Sequence, residues 1–455
     1  MTTLDLTTIS AAALARLYRD GAITPSDATD WFLDRIETTT DRAIFITVTA
    51  ERARQEAGAS TARYRAGSAL GPLDGVPVAW KDLFDLAGTT TTAGSDVYRS
   101  APVAKADATV VRRLADAGMV SLGKVNLSEF AYSGLGLNPH FGTPRNPFDA
   151  KVHRAPGGSS SGSAVAVAAG LAPVAIGTDT GGSVRIPAAF NGLVGFKTAE
   201  GSIDKTGVFA LSPTLDTVGP LARTVEDCLL LYAALKGGSP AEAKPADVST
   251  LRFVVPTNIV FDEAEEAVVA NFRALLAKLE RKGAKIVERP VSAFDAIRAT
   301  SVHGNIVAAE AYFAHRRLID SADVERVDPR VTARIVRGAS MSAYDLLALH
   351  AARTDLQKAL RADLDGAMLL FPTVPHTAPP VAPLDADPDL FHAVNVKTLR
   401  NTMLGNFLNL PGFAIPSGVD ANGLPTSILI SAPAGSETIL FAASLAVESA
   451  VKATQ

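Results

Sequence analysis

The chain has 455 residues, 47% of them hydrophobic and 20% charged, with a formal net charge of −4. This is ordinary composition for a water-soluble globular protein, and it lacks the basic footprint that binding to nucleic-acid phosphates leaves. The single cysteine, Cys228, excludes an intramolecular disulfide and suits a reducing, cytoplasmic compartment.

Cys228 sits in the apolar run Cys228-Leu229-Leu230-Leu231-Tyr232 and reads as a small buried hydrophobe. The first residues, Met1 to Asp5, have no basic segment followed by an apolar one, so no signal peptide is expected. The most apolar stretch, 164–177, is broken by Gly170 and Pro173 and is too short to span a membrane.

In chain order, the first fifty residues predict two helices. The second has Thr24 as N-cap, Pro25 at N1 and Asp27 at N3, ahead of the apolar face of Trp31, Phe32, Leu33 and Ile36. A helix over 50–66 follows, then a Gly/Pro turn at 71–75 and a short strand ending at Lys81. Helices are expected at 108–117, 161–169, 225–235, 264–282 and 437–451, the one at 225 capped by Thr224. Strands are expected at 120–123, 174–178, 251–255, 284–288, 368–371, 413–415 and 427–430.

This alternation predicts an α/β fold with a central mixed, mostly parallel β-sheet. Residues 294–364 read as a helical excursion covering one side of the core, and carry His303, His315 and His350. None of the seven histidines falls in a metal-ligand spacing such as H-x-x-x-H. His303 and His350 read as surface or core residues.

Three segments carry candidate chemistry. Asp179-Thr180-Gly181-Gly182-Ser183 places a serine directly after two glycines, where backbone can approach a ligand and successive N–H groups can form an anion nest. That suits an oxyanion hole beside a nucleophile, or a tight turn with a capping serine. The second segment, Gly157-Gly158-Ser159-Ser160-Ser161-Gly162-Ser163, precedes a run of small residues and would place hydroxyls at a helix N-terminus as caps. Ser163 after Gly162 excludes a phosphate loop of the G-x-x-x-x-G-K-[ST] type. The string Gly158-Ser159-Ser160-Ser161-Gly162 matches a nucleophile elbow centred on Ser160, but no strand is expected before it.

The third is Lys81, following Val76, Val78 and Trp80 and preceding Leu83 and Phe84. Burial lowers a lysine's pKa and would let it accept a proton from a serine; pairing with Asp82 or Asp85 is the structural alternative.

Together these segments resemble the amidase signature family, and the resemblance covers most of the chain. Phe141 to Pro147, Gly192 to Thr198, Leu215 to Asp227 and the stretch from Arg400 to Gly412 fit the family pattern in order and spacing. The resemblance implies a single amidase-signature domain over 1–455, with helices on both faces of the sheet. Within it, 1–66 would form N-terminal helices, 67–293 the signature core, 294–364 a variable helical region and 365–455 the return to the sheet.

The resemblance also implies roles. Ser183 would be the nucleophile. Ser159 would be the bridging residue held by a cis peptide, and Lys81 the base. Backbone N–H groups of Thr180, Gly181, Gly182 and Ser183 would form the oxyanion hole. Ser133, Gly134 and Leu135 match a pocket-lining segment. Arg185 would either pair with a substrate carboxylate or brace the loop through Asp179. Ser160 and Thr178 read as bracing hydroxyls.

The implied reaction is hydrolysis of an acyl C–N bond in a small soluble molecule, with carbamates and esters admissible because the acylation chemistry is shared. Its partners are the amide substrate and water, with no cofactor, no metal, no nucleic acid and no membrane. A homodimer is compatible with the family.

Two other readings remain. The first is the glutaminase subunit of a tRNA-dependent amidotransferase. That subunit usually has Gln where this chain has Ile186, and an acidic residue where this chain has Lys397-Thr398-Leu399-Arg400. The second is an anion-binding protein without chemistry, which would not need Lys81.

Overall fold

Strands apolar at consecutive positions, such as Met368–Pro372, demand two buried faces, and the chain supplies both. The computed structural model describes residues 4–238, 243–300 and 304–452. Its strands are β1 (Phe45–Val48), β2 (Pro77–Lys81), β3 (Val120–Val125), β4 (Val174–Asp179), β5 (Val194–Lys197), β6 (Thr217–Ala222), β7 (Arg252–Pro256), β8 (Lys285–Arg289), β9 (Met368–Pro372), β10 (Gly412–Val419) and β11 (Pro425–Ser431). They form one 11-stranded sheet in the order β1-β3-β2-β4-β6-β5-β10-β11-β9-β7-β8.

The period-2 pattern divides the side chains between two cores. Met368 and Leu370 of β9, with Ile428 and Ile430 of β11, pack under helices Glu266–Arg281 and Glu437–Lys452. Leu369, Phe371 and Leu429 face the other way, against residues of the helical region such as Ile306, Ile335, Leu349 and Leu360. That region, expected from 294, begins with helix Ser292–Thr300 and closes with helix Ala343–Leu364; it covers this second face. His303 lies outside the described residues.

The mixed α/β architecture is as expected; the expectation of mostly parallel pairing is corrected. Six neighbouring pairs are antiparallel and four are parallel. The parallel pairs sit toward the two ends, where helices connect the strands. In the middle, β10 and β11 are joined by a tight turn closed by Asp420 N–H to Leu424 O at 2.8 Å, which permits only an antiparallel pair.

The predicted caps form as written. Thr24 and Asp27 make a reciprocal capping box, and the Thr224 side chain accepts from Asp227 N–H. Three strands were not foreseen: β1, β5 and β6. Nor were the helices Arg185–Phe190, Val381–Ala386 and Pro388–Phe407. Cys228 is buried as expected.

Candidate active site

Lys81 ends β2, and β4 is its parallel neighbour, with Val78 opposite Val174 and Trp80 opposite Ile176. Side chains at the carboxyl ends of adjacent parallel strands meet in one crevice, and Lys81 meets Thr178 there. Lys81 Nζ donates to Thr178 Oγ1 at 2.8 Å and to Ser159 Oγ at 2.7 Å, and the lysine is fully buried.

Neither neighbouring aspartate pairs with it. Asp82 is held by Lys124 at 2.5 Å, and Asp85 accepts from Thr91. With no carboxylate in ion-pair distance among the described residues, burial pulls the Lys81 ammonium down to about 7; the charges of Asp216 and Asp179 oppose the shift without cancelling it. Thr178, read as a brace, is a second member of the lysine's cradle.

The serine loop runs past the end of β2, and its Gly158-Ser159 peptide is cis. The expectation that these serines cap the following helix is corrected: the helix Ser161–Ala168 has no side-chain cap. Its first N–H groups go to backbone instead, Gly162 to Asn126 O and Ala164 to Ser160 O, which frees Ser159 to face Lys81. Ser160 Oγ reaches Thr178 O at 3.4 Å, a bracing contact. No strand precedes this loop, so the nucleophile-elbow geometry is absent.

The Gly-Gly-Ser loop joins β4 to helix Arg185–Phe190, and its organiser is Asp179. This carboxylate accepts from the N–H groups of Gly182 (2.9 Å), Val184 (3.1 Å) and Arg185 (3.3 Å). It also takes the Arg185 fork, Nε at 3.0 Å and Nη2 at 2.9 Å. Burial favours the neutral acid, but the Arg185 guanidinium overrides it and holds Asp179 well below the usual carboxylate range.

Arg185 is fully buried, shares Nη2 with Asn406 at 2.6 Å, and presses its Nη1 toward Gly405. It is a loop brace; the substrate-carboxylate role is corrected because Asp179 already occupies the fork. The N–H of Gly182 is likewise engaged, which corrects its place among the expected oxyanion donors. Among the described residues, the N–H groups of Thr180, Gly181 and Ser183 carry no such bond. Gly182 has φ +132°, and a Cβ there would lie 2.2 Å from Thr402 Oγ1.

Ser183 opens into a cavity of ≈ 40 Å³ with Thr180, Gly181, Tyr132 and Ser133. Ser133 lines this cavity. Gly134 and Leu135 do not: Gly134 N–H is tied to Asn395 Oδ1 at 2.8 Å, and Leu135 packs into a separate cluster with Leu137, Phe391 and Val381. Thr180, Asn305, Val307 and Met403 continue into a second, mostly apolar chamber of ≈ 240 Å³.

Sequence reasoning missed Arg334, which lines the first cavity, and Arg400, which lines the second. Each falls in a helix, where an arginine is ordinarily solvated, so only the fold distinguishes them. His315 is buried on Phe130, ring centroids 4.4 Å apart, and belongs to the core. Among the described residues, no cluster of His, Cys, Asp and Glu is arranged to hold a metal ion, and no helix is long and apolar enough to cross a membrane.

A family model described as Amidase matches residues 27–441. The chain belongs to the amidase family. Members similar to this amidase include the 2-amino-5-chloromuconic acid deaminase of Comamonas testosteroni, 37% identical over 88% of this chain and 87% of that protein. A glutamyl-tRNA(Gln) amidotransferase subunit of Salinispora arenicola is 35% identical over 98% of each chain. A crystal structure of an amidase superposes with a TM-score of 0.86 at 31% identity, covering 97% of this amidase and 100% of that chain. The chain is thus a hydrolase of C–N bonds with the amidase fold.

Proposed function

We propose that this amidase hydrolyses an acyl C–N bond of a small molecule through a Ser183–Ser159–Lys81 relay. The observation that carries the reading is Lys81: a buried amine, 2.7 Å from Ser159 Oγ, whose pKa near 7 leaves a large neutral fraction at physiological pH.

In this reading the neutral amine takes the Ser159 proton as Ser159 takes that of Ser183. Ser183 Oγ then adds to the substrate carbonyl. The oxyanion is met by backbone N–H groups of Thr180, Gly181 and Ser183, while Asp179 and Arg185 hold the loop in shape. The proton on Lys81 returns through Ser159 to the leaving amine as the C–N bond breaks. Water repeats the sequence on the acyl-enzyme, releasing the acid and regenerating Ser183.

The amidotransferase relatives are similarly close, so the choice of a free-standing enzyme rests on particular residues. Ile186 is fully buried and packs with Val374 and Leu399, where the glutaminase pattern has Gln. The 397–400 segment contributes Leu399 and Arg400 to the cleft and no carboxylate. The muconic acid deaminase relative acts, by its name, on a small organic acid, which agrees in substrate size.

The test is hydrolysis of a panel of amides, carbamates and esters by the chain purified alone. Turnover of at least one non-glutamine substrate, lost in Ser183→Ala, is expected. Activity confined to glutamine and dependent on added partner proteins would return the glutaminase reading. Failure of a serine-directed acylating probe to modify Ser183 would return a non-catalytic binder.

A further inference from the structure

Two guanidinium groups in the cleft lack the carboxylates that neutralise most buried arginines here. Arg334 lies on helix Pro329–Ile335, and its guanidinium stands 4.5 Å over the Tyr132 ring. Its Nε is buried without an acceptor, and no carboxylate lies within ion-pair distance among the described residues. Arg330, one turn earlier, pairs with both Asp328 and Asp385, so the helix does not lack acidic partners. They serve Arg330 and leave Arg334 facing the cavity that holds Ser183.

Arg400, on helix Pro388–Phe407, lines the second chamber. Its Nε donates to Asn401 Oδ1 at 3.3 Å, and its Nη2 is buried with no partner. Asp262 lines the same chamber and its charge is felt at Arg400, as is that of Glu263, but neither closes to an ion pair. Between the two arginines the shared wall is Val307 and Met403 with Thr180 and Asn305, and the second chamber adds the apolar Ile259, Phe294 and Leu404.

An unpaired, desolvated guanidinium is costly, and an incoming carboxylate that accepts two parallel N–H bonds relieves the cost. One such group in each compartment, with a mostly apolar wall between, defines a ligand with two anionic ends and an apolar middle. We propose that the cleft selects substrates bearing two carboxylates joined by an apolar spacer, one read by Arg334 and the other by Arg400. This rests on Ser183 being the reactive residue of the first cavity, and names the substrate class of that site.

Protection of Ser183 from a fluorophosphonate probe tests it. The competitors are unbranched dicarboxylates of four to eight carbons, with the monocarboxylate and the diol of each length. At least one dicarboxylate should protect at about tenfold lower concentration than its monocarboxylate, and the monocarboxylate better than the diol. Arg334→Gln and Arg400→Gln should each bring that dicarboxylate to the level of the monocarboxylate. The double variant should bring it to the level of the diol.

Protection by dicarboxylates no better than by monocarboxylates, at every length in the wild-type protein, overturns the proposal without recourse to any variant. So does an advantage that survives both single substitutions. If the probe does not label wild-type Ser183, the serine reading fails by itself. Calorimetric titration of the same dicarboxylates into wild type and variants then decides the anion sites, with loss of the tenfold advantage as the overturning result.

Discussion

The amine of Lys81 lies 2.7 Å from the hydroxyl of Ser159, and no carboxylate competes for it within ion-pair distance among the described residues. Asp82, its chain neighbour, is taken by Lys124. The lysine is therefore buried among hydroxyls with no paired carboxylate, and that burial lowers its proton affinity.

A rate that depends on neutral Lys81 rises with pH. With the lysine at about 7, kcat/KM should climb tenfold per unit below that value and level off above it, until another group intervenes. Lys81→Met should lose this limb along with most activity, about a hundredfold or more. A flat profile from about pH 6 to 9 with chemistry rate-limiting would remove Lys81 from the role of base.

The same shift has a stability consequence with a definite sign. An unfolded lysine takes up its proton near 10.4, whereas folded Lys81 does so near 7. Between those values the unfolded chain binds more protons, so the lysine's destabilising effect grows as pH falls from about 10 to 7 and is complete below 7. Lys81→Met should therefore stabilise the protein, by a few kcal/mol at pH 6 and by much less at pH 10. Chemical denaturation of both proteins at the two pH values measures the difference.

Arg185 is fully buried against Asp179, and removing it leaves that charge without its cation. Arg185→Met should cost about 3–5 kcal/mol. Asp179→Asn with Arg185 intact should be damaging for the reciprocal reason. If Arg185 met substrate instead, Arg185→Met would raise KM and leave the denaturation midpoint unchanged.

Gly182→Ala should abolish activity and lower stability, since a Cβ would collide with Thr402 Oγ1 and the backbone there has positive φ. Pairing it with Thr402→Gly should recover only part of the stability, because Ile186 Cδ1 would still lie 2.6 Å from the new Cβ and the positive-φ cost of about 1–3 kcal/mol remains. Thermal melts of the three variants measure the share of the loss that the Thr402 collision causes.

Much of the fold was legible where local signals are strong. The capping box of Thr24 and Asp27, the cap of Thr224 and the apolar strands β4, β9 and β11 follow from residue type and period. β5 and β6 were illegible because Gly195, Gly219 and Pro220 contradict strand propensity. Both are fully buried, so tertiary packing overrides that preference. The helix Pro388–Phe407 has no apolar stripe to read, because its buried side includes the polar Asn395, Thr398, Asn401, Thr402 and Asn406.

The sequence by itself determined the residue types of the candidate site, their order and the family they belong to, because glycine, serine and lysine at these spacings satisfy backbone constraints that few other residues meet. Partnership was decided only in three dimensions. Which aspartate takes Arg185, which hydroxyls surround Lys81, which N–H groups stay free and which arginines face the cleft all depend on contacts across tens to hundreds of residues. A buried charge must find its partner in space, and chain order does not say which neighbour the fold will bring.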